Sequence, residues 1–215
     1  MNLPNKITIS RIILIFGMII AMFVLAFIPD LQVMTIGNSG INLVYLIFTC
    51  VFIIAAFTDM LDGKIARKFN LVTDFGKFLD PIADKLLNDA TMIFLLVPQA
   101  YALPTQRHSA TMLTILAVCV ILMIARDLVV DALRLIAVKK NIVIAANIFG
   151  KAKTVLQMVA IPMLLLNDWP WKYFDGNWPE SLQISNIFFY LATIMSIVSG
   201  VIYVWQNRAV LKETK

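Results

Sequence analysis

The sequence predicts an all-α integral membrane protein with six transmembrane helices and both termini in the cytoplasm. Hydrophobic side chains make up 60% of its 215 residues, a share above that of soluble domains. They are gathered into six apolar stretches, and the lysines and arginines between them are concentrated in alternate connections. Together these features indicate a chain that crosses a bilayer repeatedly.

Each apolar stretch predicts one membrane helix. Several stretches are shorter than the roughly 20 residues that a helix needs to cross the hydrocarbon core, so these helices should extend into flanking polar sequence. No small-residue cleavage site follows the first stretch, which therefore predicts a membrane helix rather than a signal peptide. No linker or repeat divides the chain, and we expect residues 1–215 to form one membrane domain. The stretches are residues 12–28, 43–58, 82–97, 112–125, 155–166 and 184–205.

The distribution of positive charge predicts the orientation. Cationic segments remain in the cytoplasm, and 16 of the 18 lysines and arginines lie at the termini or in the second and fourth connections. The net charge of +5 is thus concentrated on the cytoplasmic side, where it favours anionic lipid headgroups and phosphorylated substrates. We expect membrane lipids around the protein and no nucleic-acid partner.

Aspartates at helical spacing are the most informative feature of the second connection. If the second and third helices continue into this polar segment, each places its acidic residues on one face. Four clustered carboxylates would repel one another, and a bound cation removes that repulsion. Neither Cys nor His accompanies them, so Mg²⁺ or Mn²⁺ is favoured, with two ions suited to phosphoryl transfer. The residues on these faces are Asp59, Asp62, Gly63, Ala66 and Arg67, followed by Gly76, Asp80 and Asp84.

The spacing Asp59-x2-Asp62-Gly63-x2-Ala66-Arg67-x8-Gly76-x3-Asp80-x3-Asp84 resembles the signature of the CDP-alcohol phosphatidyltransferase family. The resemblance implies a six-helix membrane enzyme with a two-metal site, in which an alcohol displaces CMP from a CDP-linked lipid. It also implies that Asp59, Asp62, Asp80 and Asp84 bind the metals and that Asp84 is the general base.

Small residues on the carboxylate face predict a nucleotide site. Gly63, Ala66 and Gly76 leave room for a bulky ligand, and Arg67 can pair with its phosphate. Asn5 and Thr8 stand at a step of three before the first apolar stretch, a spacing shared with Arg11. Two interpretations remain open for this segment: a capped, positively anchored helix, or contacts from Asn5 and Thr8 to the nucleotide.

Three further segments, "MNLPNKITISR", "TDFGKFLDPIADKL" and "NIFGKAKT", resemble the bacterial phosphatidylglycerophosphate synthases within this family. That resemblance implies CDP-diacylglycerol and glycerol 3-phosphate as substrates, and a homodimer in the bacterial inner membrane with its active site on the cytoplasmic side. An acceptor that carries a phosphate needs cationic partners, and the predicted cytoplasmic candidates are Arg126, Arg134, Lys151 and Lys153.

Other functions remain open from the sequence. Asp127 and Asp131 depart from the subfamily pattern, which usually has Glu at the first position and an uncharged residue at the second. The acceptor could therefore be an inositol phosphate, serine or phosphatidylglycerol. A divalent-cation transporter is the alternative from another class, but the carboxylates lie at helix ends, whereas transporters bind ions near the bilayer midplane.

Overall fold

The structure is a computed structural model that describes residues 3–25, 28, 36, 41–68, 73–96, 109–140, 142 and 148–208. Within these ranges, the side chains of residues 3, 4, 22, 23, 25, 60–68, 74, 75 and 77 are not described. The regular elements of the described ranges are helices, and no strand occurs in them. The predicted all-α class is therefore confirmed.

The helices follow the apolar stretches in order. The first five helices described are long: α1 is Leu3–Leu25, α2 is Leu43–Lys68, α3 is Asp74–Leu95, α4 is Ala110–Lys139 and α5 is Ile148–Leu165. A single turn, α6, covers Lys172–Asp175, and a 3-10 turn covers Glu180–Leu182. The last long helix, α7, is Ile184–Gln206.

The long helices extend beyond their apolar stretches, as predicted. Helix α2 continues through the signature to Lys68, and α3 begins at Asp74, well before its apolar part. Thr73 caps α3, since its hydroxyl accepts a hydrogen bond from the backbone N–H of Gly76. Ser109 caps α4 in the same way through the N–H of Met112. These extensions place the signature aspartates on regular helix.

Within the part of the chain that the structure describes, three helices, α4, α5 and α7, are long and apolar enough to cross a membrane. Many large apolar side chains on them face outward, among them Ile121, Leu128 and Val201, each more than 60% exposed. A soluble protein rarely leaves so much apolar surface uncovered, whereas a bilayer provides an apolar environment for it. The helices therefore indicate a membrane protein.

The described residues form two compact units. The first unit comprises residues 1–108 and 161–174, and it contains α1, α2 and α3. Its three helices pack against one another around buried Ile15, Phe52 and Ala83. Phe48 meets Phe94 edge to face, with 5.3 Å between the ring centroids, which ties α2 to α3.

The second unit comprises residues 109–160 and 175–215 and is organised by the packing of α4 against α7. Val130, Leu133 and Ala137 of α4 form a buried cluster with Tyr203 of α7. Both carboxylate oxygens of Glu180 accept from the N–H of Ser109 at 3.2 Å, beside the beginning of α4. The boundary between the units falls within α5, after Ala160.

Packing in the first unit gives a test of the fold. Phe52 is 1% exposed, whereas Phe57, on the same helix, is 56% exposed. Phe52→Ala leaves a cavity and should destabilise the protein by up to about 3–5 kcal/mol, and Phe57→Ala should have little effect. Unfolding of the purified protein in detergent measures both. Equal losses for the two variants would contradict the described packing.

Candidate functional site

Helix α1 contributes a buried arginine to the first signature aspartate. The side chain of Arg11 is only 1% exposed, and its Nη1 donates a hydrogen bond to Oδ1 of Asp59 on α2. Asp59 is one-third exposed, so this carboxylate contacts a buried cation and is also accessible from solvent. Because a guanidinium stays charged at any relevant pH, Arg11 permanently neutralises one of the clustered carboxylates.

The same helix also holds the third signature aspartate. Thr8, which is 2% exposed, donates from Oγ1 to Oδ1 of Asp80 at 3.1 Å. One turn earlier, Oδ1 of Asn5 accepts from the Thr73 hydroxyl at 2.8 Å. A Cβ at Gly76 would lie 3.3 Å from both Asn5 Oδ1 and Thr73 Oγ1, a tight approach. Glycine at position 76 therefore lets α1 lie close against the start of α3.

The predicted base, Asp84, is held within α3. Nδ2 of Asn88, one turn further along, donates to both the backbone carbonyl and Oδ1 of Asp84, each at 3.0 Å. Asn88 is 8% exposed, so neighbouring side chains restrict the movement of its amide. Three signature carboxylates thus each accept a hydrogen bond from a buried side chain: Arg11, Thr8 or Asn88.

This arrangement fits a site for a hard divalent cation. Such ions prefer carboxylate oxygens, and ligating carboxylates are usually oriented by hydrogen bonds from behind. Asp62, Gly63, Ala66 and Arg67 follow Asp59 on α2, where the structure describes the helix but not these side chains. Among the side chains that it does describe, no three metal-binding groups lie together.

The predicted acceptor-binding cations lie in the second unit, and two of them share one carboxylate. Asp127 accepts from Arg126 Nη1 at 2.8 Å through Oδ1, and from Lys153 Nζ through Oδ2. Lys153 is 5% exposed. The shared carboxylate holds α4 to α5 and gives buried Lys153 and half-buried Arg126 a counter-charge, which a cation removed from water requires.

The other two candidates are more accessible. Arg134 is exposed, and its Nε donates to the hydroxyl of buried Tyr203 at 3.0 Å. Its guanidinium carbon lies 5.6 Å from the centroid of that ring, so the side chain is stacked as well as hydrogen-bonded. Lys151 is exposed near the start of α5.

The sequence pointed to the aspartates, Asn5 and Thr8, but not to Arg11 or Asn88 as partners of the aspartates. Arg11 shares the three-residue spacing of Asn5 and Thr8, and that spacing was the available signal for a role of this helix face. Asn88 continues the step of four from Asp80 and Asp84. No comparable signal in the sequence pointed to Tyr203 or Ser199, because their arginine partners are about 70 residues away along the chain.

The chain is similar to known proteins over almost its whole length. The sequence model of the CDP-alcohol phosphatidyltransferase family matches residues 1–203. A Bacillus subtilis protein named CDP-diacylglycerol--glycerol-3-phosphate 3-phosphatidyltransferase is 38% identical over 98% of this chain and 97% of its own length. Proteins of the same name from Rickettsia felis and Haemophilus influenzae are 34% and 35% identical, each over 94% of this chain and 93% and 91% of their own lengths.

The eight signature positions, the family match over almost the whole chain and these relatives lead to one assignment. The chain belongs to the CDP-alcohol phosphatidyltransferase family.

Proposed function

We propose that this protein transfers the phosphatidyl group of CDP-diacylglycerol to glycerol 3-phosphate, forming phosphatidylglycerophosphate and releasing CMP. The observation that carries the proposal is the set of three signature carboxylates, Asp59, Asp80 and Asp84, each oriented by a buried donor. The names of relatives that match nearly the whole chain specify both substrates. Family membership favours this transferase over a cation transporter.

Members of this family generally depend on divalent metals. We assign Asp59, Asp62, Asp80 and Asp84 as ligands of two Mg²⁺ or Mn²⁺ ions, since their donors are all hard oxygens. When bound, the ions would neutralise charge on the attacking and leaving oxygens. Arg11 and Thr8 then serve as supports that keep two of the ligands in place.

Asp84 is the proposed general base. The acceptor hydroxyl loses its proton to the Asp84 carboxylate as its oxygen bonds to the lipid-bearing phosphorus. The bond from that phosphorus to the CMP oxygen breaks, and CMP leaves with the electron pair. Asn88 suits this role because its amide orients the Asp84 carboxylate by a hydrogen bond to Oδ1.

We assign the nucleotide to the faces of α1, α2 and α3 that carry the signature. Arg67 would pair with a phosphate of CDP-diacylglycerol, and Gly63 and Ala66 would leave space for the nucleotide. Asn5 and Thr8 are buried among these helices and already bond to Thr73 and Asp80, which makes positioning part of their role. Gly76 contributes through the same close packing.

The acceptor phosphate is assigned to the cations of the second unit. Arg126 and Lys153 form a pair around Asp127, and Arg134 and Lys151 are accessible from solvent. Charge-assisted hydrogen bonds of this kind contribute roughly 1.5–3 kcal/mol each, so glycerol without its phosphate should be a poor acceptor.

We further propose six membrane spans, cytoplasmic termini, an active site on the cytoplasmic side of a bacterial inner membrane, and a homodimer. The distribution of lysine and arginine supports this orientation, and the outward-facing apolar side chains support the spans. The relatives are bacterial, which supports the compartment.

The substrates can be tested directly by CMP release from CDP-diacylglycerol with a panel of acceptors. The purified protein should release CMP with glycerol 3-phosphate at least about tenfold faster than with glycerol, serine or inositol phosphate, since loss of one phosphate contact costs more than about 1.4 kcal/mol. Faster turnover with serine or inositol phosphate would reject the acceptor. No CMP release with any acceptor would reject the reaction.

The proposed roles of the aspartates predict a shared loss of activity. Asp59→Asn, Asp62→Ala, Asp80→Ala and Asp84→Ala should each reduce turnover by roughly a thousandfold or more, and double variants should lose little further activity. Asparagine is chosen at position 59 because its amide oxygen can still accept from buried Arg11. Asp74→Ala, off the shared face of α3, is the control. Near-normal CMP release by any signature variant would remove that residue from the site.

A further inference from the structure

The side chain of Arg126 lies in a slot that exists because position 200 on α7 has no side chain. A Cβ at Gly200 would lie 2.7 Å from Arg126 Cγ, closer than real Cβ atoms approach a neighbour. It would also lie 3.7 Å from Cδ and 3.5 Å from Nε. The stem of the arginine therefore rests directly on the backbone of α7.

A second glycine and a serine complete the slot around the guanidinium. Nη2 of Arg126 donates to Oγ of Ser199, which is fully buried on α7. On α5, a Cβ at Gly150 would lie 3.3 Å from the same Oγ and 3.6 Å from Nη2. Nη1 is held by Asp127, whose other oxygen binds Lys153. Three helices thus determine where this guanidinium and the neighbouring ammonium lie.

Nε of Arg126 is buried and has no hydrogen-bond partner among the described residues. An unsatisfied buried donor costs roughly 1–3 kcal/mol, so its retention needs a reason. Glycine within a helix also costs about 1 kcal/mol of stability relative to alanine, and position 200 of α7 is nevertheless a glycine.

We propose that Gly200 is a positioning residue for acceptor binding: the missing side chain seats Arg126, and Ser199 and Asp127 then fix its guanidinium beside Lys153 as a preformed pair for the acceptor phosphate. This inference rests on the proposed function. A rigid pair binds a phosphate with less loss of side-chain entropy than two mobile cations do. Alanine at position 200 would push the stem of Arg126 away from α7 and separate the guanidinium from Ser199.

The test compares Gly200→Ala with Gly17→Ala in steady-state assays of the purified full-length protein. Both variants replace a helical glycine, but a Cβ at Gly17 meets nothing within 4 Å. Gly200→Ala should raise KM for glycerol 3-phosphate roughly tenfold or more, and KM for CDP-diacylglycerol should change little. Gly17→Ala should match the wild type.

A double-variant cycle distinguishes action through Arg126 from a general packing defect. Arg126→Ala removes Cγ, so adding Gly200→Ala to that background should raise KM for glycerol 3-phosphate no further. If Gly200→Ala does not fold, Ser199→Ala loosens the same guanidinium without a steric clash and should raise the same KM.

The proposal fails if Gly200→Ala leaves the acceptor KM unchanged, if both substrates are affected equally, or if the penalty persists without Arg126. If the Gly200→Ala protein does not fold, an unchanged acceptor KM in Ser199→Ala overturns the proposal instead. These results differ from a failure of the proposed function, in which the wild type itself would not use glycerol 3-phosphate.

Discussion

The contact between Arg11 and Asp59 is the interaction on which the first unit depends. Two packed helices that both carry aspartates at their ends are unfavourable by themselves, because carboxylates brought near one another repel. A buried guanidinium on α1 offsets part of that repulsion and joins α1 to α2. With Thr8 bound to Asp80, the same helix also reaches α3. The same side chains of α1 therefore join the three helices and hold the carboxylates in position.

In the second unit the charges are reversed, and a carboxylate neutralises neighbouring cations. Two of its cations, buried Lys153 and half-buried Arg126, lie close together, and Asp127 supplies the negative charge that they require. The carboxylate of Asp127 bridges these two cations, which are the ones proposed to bind the acceptor phosphate.

Much of the architecture could be predicted from the sequence, because the apolar stretches and the spacing of four between Gly76, Asp80 and Asp84 are local features of helices. The extension of α2 to Lys68 and the start of α3 at Asp74 follow from the same spacing. The partners of these residues could not be predicted in this way. Arg11 and Asp59 are 48 positions apart, and Arg126 and Ser199 are 73 apart, so only the packing of helices reveals that they meet.

The sequence alone could not show which of the cytoplasmic cations have a role beyond orientation. Arginines and lysines at the cytoplasmic ends of helices are expected for orientation alone, so neither composition nor spacing separates an anchoring cation from a ligand-binding one. Burial distinguishes the cations that need a counter-charge within the protein from those that are open to solvent. Arg11 and Lys153 are almost inaccessible, whereas Lys6 and Lys151 are exposed.

The role of Arg11 is best tested by the thermal stability of Arg11→Met in detergent, with EDTA and with saturating Mg²⁺, beside Lys6→Met as a control of equal charge change. If Arg11 is the resident counter-ion of the carboxylates, the variant should melt well below the wild type in EDTA. Mg²⁺ should close most of that gap, because the ion supplies the missing positive charge. Lys6→Met should resemble the wild type in both conditions. An equal loss of stability with and without Mg²⁺, or no loss at all, would contradict this role for Arg11.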